Sequence, residues 1–101
     1  AIDNRDPYRA WIALRGQQPA LVQVRARRPG DRIQPLGMDG AAVKISDLMI
    51  NAKVPRRARA RWPIVLLENR IAWVPGLHVS QGFKITSASK RIIFMELLSL
   101  N

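Results

Sequence analysis

PIVLLENRIAWV, residues 63–74, sets two apolar runs, Pro63–Leu67 and Ile71–Val74, on either side of Glu68, Asn69 and Arg70. Two β-prone runs around a short polar break predict a hairpin, and the Pro75–Gly76–Leu77 that follows predicts another turn. Downstream, RIIFMELLSL (Arg91–Leu100) suits a buried strand or a helix; the β-branched Ile92 and Ile93 and the aromatic Phe94 favour strand. Upstream, YRAWIAL (Tyr8–Leu14) and ALVQVRA (Ala20–Ala26) are short β-prone runs joined by RGQQP, which predicts a hairpin or an adjacent pair. RPGD (Arg28–Asp31) places Pro29 and Gly30 at the centre of a type II turn, where a fixed φ and a positive φ are both wanted. After the loop IQPLGMDGAA, a helix is expected from Asp47 to about Lys53. Its signals are Ser46 as N-cap, Asp47 in the first turn and an Ile45/Ile50 hydrophobic staple. Val54, preceding proline, is pushed out of the helical region, so the chain bends; Pro55 then opens a second short helix that Trp62–Pro63 closes. There is no repeat and no low-complexity tract.

The 101 residues suffice for one domain around one core, spanning 1–101. Hydrophobic residues make up 48% of them, which is not the composition of a disordered tail, yet 17 Lys and Arg against 7 Asp and Glu leave a net charge of +10. The isoelectric point is near 11.7. A folded, strongly basic domain calls for a polyanionic partner; nucleic acid is the commonest, with an anionic membrane surface or an acidic protein as competitors. Without cysteine there is neither a disulfide framework nor a thiolate metal site. No uninterrupted apolar run approaches roughly 18 residues and AIDNRDPYRA has no signal-peptide core, so the chain reads as soluble and unexported. The start without Met suggests a piece of a longer protein.

The charge is concentrated. KVPRRARARW, residues 53–62, carries Lys53, Arg56, Arg57, Arg59 and Arg61, and no acid occurs between Leu48 and Leu67. On a helix of about 100° per residue the arginines fan over one side while Ala58 and Trp62 share the other. Trp62 is then an apolar anchor that pins a short helix, leaving four guanidinium groups outward. A mixed-sign run would be read as a solvated face. A single-sign run gains nothing from pairing within the helix and points to phosphate contact. Trp11, Trp62 and Trp73 themselves are read as packing residues rather than base-stacking platforms.

Catalytic constellations are missing from the pattern. His78 is the lone histidine and reads as a loop or packing residue; the acids are scattered without general acid–base spacing; neither GxxxxGK[ST] nor GxGxxG occurs. Ser46, Ser80, Thr86, Ser87 and Ser89 fit caps and turns better than nucleophiles. The chain reads as a binder, not as an enzyme by itself.

In order and spacing, RRPGDRIQPLGMDG, KISDLMINAKVPRRARARWPIVL and IAWVPGLHVSQGFKIT resemble the C-terminal substrate-binding domain of the tRNA(Ile)-lysidine synthetases, over roughly Val24 to Thr86. The resemblance implies an α+β domain, a small sandwich of β-sheets with short helices, related to a domain of the phenylalanyl-tRNA synthetase β subunit. It also implies a cytoplasmic protein that grips tRNA(Ile) near the acceptor stem. A separate catalytic domain would use ATP and Mg to convert the wobble cytidine to lysidine; its SGGxDS loop is absent here, so this chain is expected to hold no cofactor or metal and to partner that domain and the tRNA, away from any membrane. The motif positions carry tRNA contact onto Arg28, Arg32, Lys44, Lys53 and Arg56; Arg57, Arg59 and Arg61 rest on the helix argument. The competing expectations are a structural domain that packs on its parent protein and a generic polyanion-binding module.

Overall fold

The computed structural model describes residues 8–14, 21–38 and 40–98. Along the chain run β1 (Arg9–Leu14), β2 (Val22–Ala26), β3 (Arg32–Ile33), β4 (Val43–Lys44), α1 (Ile45–Asn51), α2 (Arg56–Arg59), β5 (Pro63–Leu67), β6 (Arg70–Val74), β7 (His78–Val79), a 3₁₀ turn (Gln81–Phe83) and β8 (Arg91–Glu96). The hairpin expected from PIVLLENRIAWV is β5–β6, with Val65 opposite Trp73 and Leu67 opposite Arg70. Its connection is Glu68–Asn69, both at positive φ, 54° and 64°. That is the type I′ geometry whose twist matches the flanking strands. A register shift between Val65 and Leu66 leaves Ala72 as the extra residue of a bulge. β2 pairs outside β5 and β7 outside β6, giving a central sheet ordered β2-β5-β6-β7.

Both faces of the hairpin are covered. Val65, Leu67, Ala72 and Trp73 enter one core with Ala10 and Ile12 of β1, Val79 and Phe83, against which Ile93 and Met95 of β8 pack. Ile64, Leu66 and Val74 enter a second core with Ile33 of β3, Ile45 and Met49 of α1 and Val54, flanked by Ala58 and Trp62. Strands buried on two sides have no solvent face to mark with polar residues, hence their unbroken apolar runs. The α+β class holds: small β-sheets with few short helices.

The N-terminal strands correct the sequence reading. β1 and β2 do not pair; β1 joins β8 in a two-stranded ribbon, while β2 is the edge of the central sheet beside β5. β1 has Ala10 and Ile12 to bury, whereas β2 has no fully buried residue and cannot share that core-facing role. β8 is the strand its β-branched residues suggested; its inward Ile93 and Met95 alternate with exposed Ile92 and Phe94, and Phe94 meets Trp11 with ring centroids 4.5 Å apart.

The helices also start and stop elsewhere. α1 begins at Ile45, with Lys44 as N-cap and no side-chain cap; Ser46 lies inside it. Ile45 is fully buried and its N–H donates to the Asp31 carbonyl at 3.0 Å, so the strand ladder, not a serine, sets the start. Ile50 is exposed, which removes the staple. At the other end Lys53 sits at φ 59°, the Val54 N–H reaches the Met49 carbonyl at 2.9 Å and the Lys53 N–H reaches that of Ile50 at 3.0 Å. This is a Schellman closure, sealed by Val54 against Met49, with lysine where glycine is usual. Pro55 is the N-cap of α2 rather than its first helical residue, and α2 is only four residues long. Shorter i→i+3 bonds, Arg61 N–H to Ala58 O and Trp62 N–H to Arg59 O, carry the chain on to Trp62.

RPGD forms its turn as expected: Gly30 has φ 88° and the Asp31 N–H donates to the Arg28 carbonyl at 3.1 Å. Nothing would obstruct a Cβ on Gly30. Gly30→Val should therefore lose about 1–3 kcal/mol through φ alone, whereas Glu68→Asn with Asn69→Gly, which supplies the favoured I′ pair, should gain roughly 0.5–1 kcal/mol. Thermal melts check both; a Tm that falls in the hairpin variant would contradict the I′ geometry.

Candidate nucleic-acid interface

The basic surface is organised around one acid. Asp31 accepts two hydrogen bonds from the Arg25 guanidinium, Nη1 at 2.8 Å and Nη2 at 3.0 Å, and a third from the Arg28 backbone N–H at 2.8 Å. The side chains of this pair retain only 22% and 12% of their exposure. The hydrogen bond from Arg25 holds the Asp31 carboxyl below its ordinary range, outweighing the burial that would raise it, and the Arg28 N–H adds to the effect. The same bond raises Arg25. The Asp31 side chain thus ties the Arg28–Asp31 turn to β2, while its carbonyl, accepting from the Ile45 N–H, ties it to the end of the β3–β4 ladder.

A second set of bonds pins α2. The Arg27 N–H donates to the Trp62 carbonyl at 3.0 Å, and Arg27 Nε to the Arg59 carbonyl at 3.2 Å. Arg59 Nε donates to the Val54 carbonyl at 2.9 Å. Trp62 Nε1 donates to the Pro75 carbonyl at 2.8 Å while its ring packs beside the second core. Trp62 is thus the expected anchor.

On this frame most of the candidate cations are chain neighbours of residues in or against the second core: Arg32 on β3 precedes Ile33, Lys44 on β4 precedes Ile45, Lys53 after α1 precedes Val54, Arg57 and Arg59 on α2 flank Ala58, and Arg61 precedes Trp62, while Arg56 opens α2 and Arg28 lies in the turn before β3. Arg28, Arg32, Lys44, Lys53, Arg56, Arg57 and Arg61 are exposed. Register sets Arg32 directly opposite Lys44. Arg59 departs from the outward fan: it is half-buried, because the Val54 carbonyl at the bend before Pro55 takes its Nε. Among the described residues no ion pair engages any of the eight; the acids that are paired are Asp31 with Arg25 and Glu96 with Arg9. The surface can hold anions by Coulomb attraction.

Arg25 and Arg27 are functional supports that the sequence reading did not single out. Arg25 could have been suspected from an acid six residues on across a Pro-Gly turn. Nothing local signals that Arg27 reaches a carbonyl 32 residues away. Elsewhere, Arg70 lies 5.1 Å from the Phe83 ring centroid, Trp73 is in the first core, and His78 is a half-buried residue of β7 whose imidazole burial pushes to lower pKa.

Because its folded pKa is depressed, Asp31 contributes stability that is fully present above the unfolded carboxylate value of about 3.9 and is lost as pH falls through the lower folded value. Asp31→Asn should be less stable than the parent at neutral pH, and its stability should fall less steeply below about pH 4, so that the two curves converge in acid. Denaturant melts across that range check this; parallel curves would mean the ion pair contributes nothing.

The family model described as the TilS substrate C-terminal domain matches residues 22–95, from the start of β2 to within one residue of the end of β8. Among curated relatives, the tRNA(Ile)-lysidine synthase of Clostridium perfringens (strain ATCC 13124) is 43% identical over 72 residues, 71% of this chain and 15% of that protein. The tRNA(Ile)-lysidine synthase of Geobacillus kaustophilus is 40% identical over 93 residues, covering 90% and 20% respectively. The chain therefore spans a fifth or less of the length of these relatives. A solved structure described as the crystal structure of the TILS C-terminal domain aligns with a TM-score of 0.65 at 34% identity, over 88% of this chain and 72% of that one. With the family model matching most of its length, this chain belongs to the TilS substrate C-terminal domain family.

Proposed function

We propose that this domain binds tRNA(Ile), near the acceptor stem, as the substrate-recognition part of a cytoplasmic tRNA(Ile)-lysidine synthase. The observation that carries the reading is the set of exposed cations at Arg28, Arg32, Lys44, Lys53, Arg56, Arg57 and Arg61, none of them in an ion pair among the described residues, although the Asp31 carboxylate feels the Arg28 charge. Packed, hydrogen-bonded elements hold the backbone beneath these charges, so less backbone freedom is lost when a phosphate backbone docks. Arg59 supports α2 through its Nε and keeps its positive charge, so it remains among the residues proposed to meet the RNA. In this proposal the conversion of cytidine to lysidine, with its ATP and Mg, belongs to a catalytic domain of the parent protein. The described residues gather no cluster of three or more His, Cys, Asp and Glu to hold a metal, and the metal and nucleotide are given no role on this chain. No helix among the described residues is long and apolar enough to cross a membrane.

The test is a fluorescence-anisotropy salt titration against an acceptor-stem duplex, an anticodon-stem duplex and a DNA duplex of equal length. Both RNA duplexes should bind more tightly than DNA, since an A-form helix offers 2′-OH groups and a wide minor groove that DNA lacks, and the acceptor-stem reading further requires that stem to outcompete the anticodon stem. Replacing Arg57 and Arg61 with Gln should flatten the log–log salt slope by about 2 units and weaken different RNA sequences alike, with Tm unchanged. Equal competition by DNA would favour a generic polyanion binder. Negligible RNA affinity would favour a structural domain, and an unchanged slope would make these arginines a merely solvated face.

A further inference from the structure

The β3–β4 ladder carries a charge arrangement with no structural benefit. It is only two residue pairs long, Arg32 opposite Lys44 and Ile33 opposite Val43. Ile33 is buried and Val43 half-buried, so alternation sends Arg32 and Lys44 to the outer face, where both are exposed. Directly opposed residues bring their Cβ atoms to about 5 Å, and like charges at that spacing are destabilising. Asp31, adjacent to Arg32, gives no relief, because its carboxylate is taken by Arg25 and the Arg28 N–H. Asp47, on the first turn of α1, makes no ion pair with Lys44. Nor can the pair drift apart, since the Ile45 N–H is bonded to the Asp31 carbonyl at 3.0 Å at this end of the ladder.

The geometry points to a single-phosphate site shared between strands: Arg32 and Lys44 together hold one phosphodiester group of the bound RNA. This deepens the RNA-binding reading and rests on it. An anion between the two side chains converts a repulsion of the free domain into two charge-assisted contacts in the complex, with Arg32 able to bond two phosphate oxygens and Lys44 acting as a point charge. The pair is consequently unfavourable for folding and favourable for binding, a combination that neither a solvated face nor a packing role would produce.

The experiment compares the parent domain with Arg32→Gln, Lys44→Gln and the double variant, by thermal melts without RNA at low salt and by anisotropy salt titrations against the acceptor-stem duplex. Each single variant should melt about 1–4 °C higher than the parent as the repulsion is removed. With one shared phosphate each single variant keeps a cation on it and should weaken binding while leaving the salt slope close to the parent's, whereas the double variant should flatten it by about 0.9, so that a fourfold rise in salt costs about 3.5-fold less affinity than in the parent. One shared phosphate thus requires the slope to be lost only when both cations are gone. A loss near 0.9 in each single variant and near 1.8 in the double would instead mean two separate phosphates, and variants that melt lower, or a double variant that keeps the parent slope, overturn the site. Failure of the parent to bind any RNA overturns the broader reading and is distinguishable. The anion site is then decided by melts in inorganic phosphate against chloride of equal ionic strength: a larger upward shift in the parent than in Lys44→Gln sustains it, and equal shifts reject it.

Discussion

A hairpin that must be covered on both faces is the constraint from which the rest of this domain follows. β5 and β6 present apolar side chains above and below the sheet, so a single layer cannot exclude water from them. The ribbon of β1 and β8 closes one side, and β3, β4, α1 and α2 close the other. The two layers have different chemistry. The ribbon covers with strands, six residues each, and ends in an ion pair between Arg9 and Glu96. The opposite layer is assembled from brief elements held by turns and backbone hydrogen bonds, and the acid-free run of arginines lies on its outer side.

That second layer has little secondary structure of its own. α2 is four residues and the β3–β4 ladder two pairs long, lengths that are unstable in isolation. Tertiary bonds fix them: Asp31 joins the turn to the ladder, Arg27 and Arg59 tie α2 to the chain on either side, and the Trp62 indole reaches the Pro75 carbonyl. Two of the cations that a charge-based reading assigns to a partner, or passes over, are thereby engaged within the fold. An arginine suits this use, because its Nε can satisfy a backbone carbonyl while the rest of the guanidinium stays near the surface.

The charge balance has the same logic. Seventeen cations and seven acids cannot all pair, and the fold places Asp31 where it is most shielded and shares it among Arg25 and the Arg28 backbone. What remains exposed on that layer is predominantly positive, with Asp47 of α1 the exception. Mutual repulsion on such a face opposes folding, and the buried area on the hairpin's two sides is what offsets it.

The sequence by itself determined the elements whose signals are local. The β5–β6 hairpin followed from two apolar runs around a polar break, the RPGD turn from the φ preferences of proline and glycine, the strand at β8 from β-branched residues, and the bend at Val54–Pro55 from a steric clash. The basic character of 53–61 needed only charge counting. Tertiary structure decided what depends on distant partners. β1 turned to β8 instead of β2 because pairing follows the buried face and not chain proximity. α1 began at Ile45 because the Asp31 carbonyl and the core claimed that residue ahead of the Ser46 cap. Arg59 left the outward fan because a carbonyl before a proline lacked a donor. Arg32 came to face Lys44 because a two-pair ladder set their register, and no local pattern encodes a register between residues twelve apart in sequence when the loop between them is irregular.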